Sequence, residues 1–251
     1  MLDLWKLLAA IFVLTLTLSQ AAVGRQETGD RLSLTGNERL TRNSKLELLI
    51  DSFRDVMRNG NDSLRIPVLD PYEADKLIIK LDEDCLTINN KLSNIRMDGL
   101  ANYTIDTATF SLLRMRIRVA LTWPILPIST EYDIEANSGV LPIYGSGTIK
   151  LNAKNVTFSS VTTVAVNSEL SVYVRSFTSK LALEALDFTI TGLYNSEKTS
   201  ELTSTIVSDN APQVVEKYQE ILTGRLNIII VDRMNKIFNN MSLSDFINII
   251  T

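Results

Sequence analysis

Between Ile66 and about Thr191 the apolar residues of this chain tend to recur at every second position, whereas before and after that stretch they recur at every third or fourth. Period two marks strands with one buried face, and a period near 3.6 marks helices with one buried stripe. The pattern therefore points to a long antiparallel sheet with one apolar face, covered by helices from both ends of the chain. Two alternating segments carry opposite charge: Arg114-Met115-Arg116-Ile117-Arg118-Val119 and Glu131-Tyr132-Asp133-Ile134-Glu135-Ala136. Between them lies Trp123-Pro124-Ile125-Leu126-Pro127, and proline is ordinarily kept out of a sheet interior. The expectation is an antiparallel hairpin that turns at these prolines. It would set Arg114 near Glu135, Arg116 near Asp133 and Arg118 near Glu131 on a wet face. Met115, Ile117, Val119, Tyr132 and Ile134 would then share the buried face.

Further strands are expected to start at Lys76–Leu81, after the extended link Ile66-Pro67-Val68-Leu69-Asp70-Pro71. Gly145-Ser146-Gly147 is read as a strand break before Thr148–Phe158. Alternating stretches follow at Val161–Ser176 and Lys180–Thr191.

The flanking segments read as helices. Ser44-Lys45-Leu46-Glu47 resembles a capping box, and Leu46, Leu49, Ile50, Phe53 and Met57 follow at spacings of three and four up to Asn59-Gly60. Asp51, Arg54, Asp55 and Arg58 face away. After the strands, Glu197–Ser208 reads as a short helix. Asn210-Ala211-Pro212-Gln213 reads as the start of a long C-terminal helix reaching about Asn239, with Val215, Tyr218, Leu222, Leu226 and Ile229 on its stripe. Gly224 within it marks a bend, a close contact or a weak point on a solvent face.

The N-terminus predicts where the chain works. Leu4–Leu18 is nearly all apolar, and small residues follow at Ser19, Ala21, Ala22 and Gly24, which is the layout of a secretory signal peptide. The run is shorter than the ~20 residues of a membrane span. The expected organisation is a signal peptide over 1–24, a flexible polar arm over 25–43 and one domain over 44–251. The product is then secreted, extracellular and monomeric, with no stable membrane insertion. Four sequons, at Asn61, Asn102, Asn155 and Asn240, become candidate glycosylation sites in that compartment.

Composition removes whole classes of chemistry. The chain has no His, so Ser-His-Asp and Cys-His catalysis and His metal sites are excluded. Ser146, flanked by glycines, has no imidazole to serve as its base. Its one Cys, Cys85, permits no internal disulfide and reads as a small core residue of a strand. Asp82, Glu83 and Asp84 read as a solvated turn rather than a calcium site. A net charge of -4 with scattered Lys and Arg argues against nucleic acid. Neither a cofactor, a metal nor an enzymatic activity is expected.

Several segments resemble those of one family. Ile66-Pro67-Val68-Leu69-Asp70-Pro71 with Asp75-Lys76-Leu77, Asn94-Ile95-Arg96-Met97-Asp98-Gly99-Leu100, Tyr132–Ala136, Leu141-Pro142-Ile143-Tyr144-Gly145-Ser146-Gly147 and Lys236-Ile237-Phe238 occur in the order and at the spacing seen in the insect takeout / juvenile hormone-binding proteins. The resemblance runs from about Ser44 to Ile249. It implies an α+β fold of the tubular lipid-binding superfamily, in which a long α-helix is wrapped by a strongly curved antiparallel sheet, with a long C-terminal helix. It also implies an extracellular carrier of a small hydrophobic ligand such as a terpenoid hormone or fatty acid, with no catalytic residues. The chain departs from the family in one respect: the cysteine pair near the start of the mature chain is missing, and Cys85 does not match it.

A sheet curled around a helix leaves an elongated interior that is either a tunnel or a filled core. For a tunnel, the expected lining is Phe53, Met57, Met115, Ile117, Val119, Tyr132, Ile134, Tyr218 and Leu222. Thr130, Tyr132 or Tyr218 would supply polar contacts. For a filled core, the chain would be a secreted interaction or signalling module without a lipid ligand.

Overall fold

The computed structural model describes residues 45–61, 66–83, 86–137, 142–168, 170–238 and 241–250. The expected signal peptide, the N-terminal arm, the Ser44 cap, Cys85 and Asn240 lie outside them. Helix α1 (Lys45–Asn59) buries Leu46, Ile50, Phe53, Val56 and Met57 along one stripe, and Leu49 is half-buried beside it. Gly60 ends the helix at φ +69°, a conformation that costs glycine little. The Gly60 N–H donates to the Val56 carbonyl, and the N–H groups of Leu69 and Asp70 both donate to that of Met57. The extended link thus caps the helix that precedes it.

Seven strands form one curled, unclosed antiparallel sheet: β1 (Tyr72–Glu83), β2 (Leu86–Met97), β3 (Thr104–Ser111), β4 (Arg116–Asn137), β5 (Pro142–Val166), β6 (Val172–Ala182) and β7 (Ala185–Ile190). Its axis is the β4–β5 pair, of 22 and 25 residues, joined from Arg116↔Thr163 to Asn137↔Pro142. β3 and β6 flank one end of this pair, while β2 and β7 flank the other, with β1 outside β2.

The expected hairpin does not form, because both charged segments belong to the single strand β4. Arg116 pairs with Ser111 and Thr163, and Asp133 with Lys91 and Ser146, so the three Arg–acid pairs are absent. At ~3.3 Å per residue, Arg116 and Glu135 lie roughly 60 Å apart along the strand. The prolines are tolerated because of a gap in the ladder. The pairing of β4 with β3 stops at Thr122 and its pairing with β2 starts at Ile128, so residues 123–127 face no strand on that side, where a missing N–H breaks nothing. There the Pro127 carbonyl accepts from the Asp98 N–H at 3.1 Å.

The gap also changes which side of the strand is buried. The buried residues are Ile117, Val119, Leu121 and Trp123 before it, and Leu126 and Tyr132 after it. On β5, Phe158, Ser160, Thr162 and Val164 are buried, whereas Ile149, Leu151 and Ala153 hold the inner positions beyond Asn155. Asn155, which the register sets opposite Pro124, has φ +47° and interrupts the alternation. Ile117, Val119 and Tyr132 are therefore all buried as expected, with Met115 and Ile134 half-buried, although the cause is a change of phase within one strand rather than a turn.

The expected break at Gly145-Ser146-Gly147 is not found either, since β5 runs straight through it. A Cβ on Gly147 would lie 2.2 Å from the Thr191 carbonyl oxygen, and one on Gly145 would lie 2.7 Å from that of Gly192. The glycines admit the crossing segment after β7; they do not end the strand.

Helices α2 (Glu197–Lys217), α3 (Gln219–Phe238) and α4 (Leu243–Ile250) complete the described chain. The expected helix start at Asn210 falls inside α2. There the Asn210 amide donates to the Ile206 carbonyl instead of capping, and the helix passes through Pro212 with the loss of one backbone donor. The long C-terminal helix is instead interrupted at Tyr218, and its cap is Ser196, which accepts from the Thr199 N–H. Nothing approaches within 4 Å of a Cβ placed on Gly224, which leaves the weak point on an open face as its reading. α1, α3 and α4 converge on the β3–β6 end, where Phe246 stands edge-on to both Phe110 and Phe238.

Candidate functional site

The interior is organised in two lengths along β4 and β5. At the β3–β6 end, Phe53 and Met57 from α1 meet Ile117 and Val119 from β4 and Leu226 and Ile230 from α3 in one cluster, with Met115 packed against it. Phe53 and Met57 are 0% exposed. The strands behind this cluster bring in hydroxyls. Ile117 is paired with Thr162 and Val119 with Ser160, and β6 continues these rows with Phe177 and Ser179. Ser179 donates to Asn227 of α3 at 2.5 Å. Thr162 Oγ1 and Ser160 Oγ are buried with no hydrogen-bond partner. A buried hydroxyl without a partner costs about 1–3 kcal/mol, so such groups are rare unless something satisfies them. Sequence reasoning missed both. The available signal was a Ser and a Thr at the inward positions of the Phe158–Val164 alternation.

Farther along β4, Tyr132 and Ile134 lie outside that cluster. Tyr132 sits opposite Gly147 and donates to the Thr191 carbonyl at 2.8 Å, and burial pushes its phenol above the ordinary value. The Thr130 hydroxyl meets the Ser93 carbonyl at 2.9 Å. Both of these expected polar contacts are already engaged within the fold. Leu222 is half-buried, and Tyr218 is 44% exposed at the α2–α3 junction with the Lys217 ammonium over its ring. The structure thus gathers Phe53, Met57, Met115, Ile117 and Val119, and sets Tyr132 with Ile134 and Tyr218 with Leu222 apart from them.

The residues that carried the family resemblance hold the frame. Asp70 accepts from the N–H groups of Gly99 and Ala101 at 2.7 and 2.9 Å, which locks the Ile66–Pro71 link to the turn after β2. Arg54 donates to the Ala101 carbonyl and lies over the Tyr103 ring, and the Tyr103 hydroxyl donates to the Ile50 carbonyl at 2.6 Å. Burial holds the Tyr103 phenol well above its ordinary pKa, a shift the Arg54 charge opposes. Trp123 donates its indole N–H to the Leu100 carbonyl. Of the candidate glycosylation sites, Asn102 and Asn155 are exposed and Asn61 is half-buried. The Asn102 amide oxygen accepts from Arg58, and the Asn155 amide donates to Glu184.

Comparison with known proteins matches residues 13–248 to the family model described as haemolymph juvenile hormone binding protein. The crystal structure of Epiphyas postvittana Takeout 1 superimposes with a TM-score of 0.54 at 20% identity, covering 79% of this chain and 94% of that one. A lipopolysaccharide binding protein structure gives a TM-score of 0.38 at 14% identity, covering 77% of this chain and 38% of that one. The solution structure of latherin gives 0.29 at 14% identity, covering 97% and 90%. No significant match is found among curated proteins.

Proposed function

The chain belongs to the haemolymph juvenile hormone binding protein family, and on that premise we propose that it is a secreted, monomeric carrier of a small hydrophobic ligand bearing one polar group. The observation that supports this most directly is the pair of unpartnered hydroxyls of Ser160 and Thr162, buried beside Ile117 and Val119, whereas the neighbouring Ser179 hydroxyl is already satisfied by Asn227. An aliphatic or terpenoid body would be held by burial of its surface, at ~25 cal/mol per Å2. A carbonyl, ester or carboxylate oxygen would accept from the two hydroxyls and remove the cost of leaving them dry. Phe53, Met57, Met115, Ile117 and Val119 would form the wall at this end, while Tyr132 with Ile134 and Tyr218 with Leu222, which stand apart from it, would meet a longer ligand separately. The leader at residues 1–24 would deliver the chain to the extracellular space, where Asn102 and Asn155 offer exposed glycosylation sites.

The test is displacement of a fluorescent fatty acid from purified protein by terpenoid esters, fatty acids and plain alkanes of equal length. Competition at micromolar concentration, with esters and acids stronger than alkanes, is the expected result. The second reading is an interaction module with a filled core, which the complete burial of Phe53, Met57 and Phe238 favours. Absence of any competition would establish that reading and end the carrier proposal.

A further inference from the structure

One end of the sheet exposes leucines where a folded protein has no use for them. The β3–β4 turn, closed by the Met115 N–H on the Leu112 carbonyl, leaves Leu113 100% and Leu112 52% exposed. The β5–β6 turn leaves Leu170 73% exposed, and holds it at φ +62°, where glycine or asparagine would sit at lower cost. The two turns lie at the same end, because Arg116 pairs with Thr163 and the Val164 N–H donates to the Met115 carbonyl. Single exposed leucines need no explanation, but several at adjoining loop tips do.

The chemistry beside them is cationic. Arg114, Arg116 and Arg118 line a shallow groove of about 130 Å3 with Thr109 and Ser111, and Nε of Arg116 is buried without a partner. Residues 112–118 contain three arginines and no acid, and the sequence over 169–175 adds one acid and one arginine. Asp245, on the adjacent α4, accepts from the Ser242 hydroxyl at that helix's start. The platform is firm, since Phe110 at the end of β3 packs against Phe246.

We propose that this end of the sheet is a docking surface for an anionic phospholipid bilayer. Leu112, Leu113 and Leu170 would enter the acyl boundary while the arginines meet lipid phosphates and carboxylates. Projecting apolar tips beside a cationic groove fit an interface that is soft and negative; an acidic protein or polysaccharide would use the arginines and leave the leucines wet. Docking of this kind is peripheral, and among the described residues no helix is long and apolar enough to cross a membrane. The proposal does not depend on ligand carriage.

The experiment is co-sedimentation of the full chain with phosphatidylcholine vesicles containing 30 mol% phosphatidylserine or none, comparing parent and variants with the same N-terminus. The parent should partition at least ~tenfold more strongly onto the anionic vesicles. Leu112→Ser/Leu113→Ser should lose that binding by ~tenfold or more, and Arg114→Gln and Arg118→Gln should each weaken it about fivefold. All four side chains are exposed, so circular dichroism should stay unchanged. Independently, Leu113→Trp should give a blue-shifted emission that brominated phosphatidylcholine quenches within the anionic vesicles. Equal partition of parent and leucine variant overturns the proposal, as does an unshifted, unquenched indole. Arginine-dependent binding to heparin without vesicle binding also overturns it, and assigns the arginines to a soluble polyanion.

Discussion

Asp70 carries more of the fold than its half-buried position suggests. Its carboxylate satisfies two backbone donors, of Gly99 and Ala101, that have no strand to pair with. Asp70→Ala strands both, and hydrogen bonds to a charged group contribute about 1.5–3 kcal/mol, so urea unfolding should show a loss of ~2–4 kcal/mol. Tyr103 offers a pH signature. Its raised folded-state pKa means that the native chain keeps a proton that the unfolded chain releases above about pH 10. Stability should therefore be full below that pH and decline as pH rises beyond it. Tyr103→Phe, measured by denaturation between neutral pH and pH 11, should flatten that decline while lowering stability at neutral pH by ~1 kcal/mol for the lost bond to Ile50. Thr162→Val acts in the opposite sense. It removes an unpartnered buried hydroxyl at nearly constant volume, so thermal unfolding should show no loss of stability. Affinity for an ester ligand should nonetheless fall about fivefold to tenfold, while alkane binding stays unchanged.

At the level of elements, the contact between α2 and the sheet is made of serines. The N–H groups of Leu193, Ile190 and Phe188 donate to the hydroxyls of Ser200, Ser204 and Ser208, one helical turn apart. Each hydroxyl in turn donates to the carbonyl four residues back. An edge strand would otherwise present a row of open donors, and here the helix closes it. The four-residue spacing of Ser196, Ser200, Ser204 and Ser208 stands in the sequence, but it reads as a poor helix face until an open edge is known to lie beneath it. Ser204→Ala should cost ~1–2 kcal/mol and speed amide exchange at Ile190 selectively, as read by hydrogen–deuterium exchange. Gly147→Ala should be worse, since its methyl meets the Thr191 carbonyl; a loss of ~2–3 kcal/mol with faster exchange through β7 is expected.

For the whole molecule, the change of buried face at Pro124 and Asn155 divides the interior between a packed end and a less buried end. At the packed end, Phe53, Met57, Phe238 and Phe246 are sealed, whereas the inner residues of β5 toward Pro142 stay half-buried. A carrier built this way is stabilised by its cargo through mass action, by about 2.7 kcal/mol when ligand stands at a hundred times its Kd. Protein stripped of lipid by solvent extraction should melt several degrees lower than protein as purified, and adding back a bound ligand should restore the melting temperature. Equal melting of the two preparations, with nothing in the extract, would favour the filled-core module.

Local pattern determined the elements. The three–four spacing from Leu46 to Met57 and the alternation around Arg114–Val119 and Glu131–Ala136 each found a helix or strand, and the stripe after Asn210 found helical chain but neither its start nor its break at Tyr218, because periodicity reports which side of a segment avoids water. The ordered motifs from Ile66 to Phe238 pointed to the family, and most of them now prove to be contacts that fix the frame. What periodicity cannot report is the partner. Whether proline ends a strand depends on whether a neighbour needs its N–H, and beside Pro124 and Pro127 the side of β4 away from β5 carries no strand. Whether Gly145 and Gly147 break β5 depends on what crosses over it. The hydroxyls of Ser160 and Thr162 are ordinary in the sequence, and become a candidate site only because folding buries them opposite Val119 and Ile117 without giving them a partner. Such properties belong to pairs of segments distant in the chain, and only the assembled sheet brings them together.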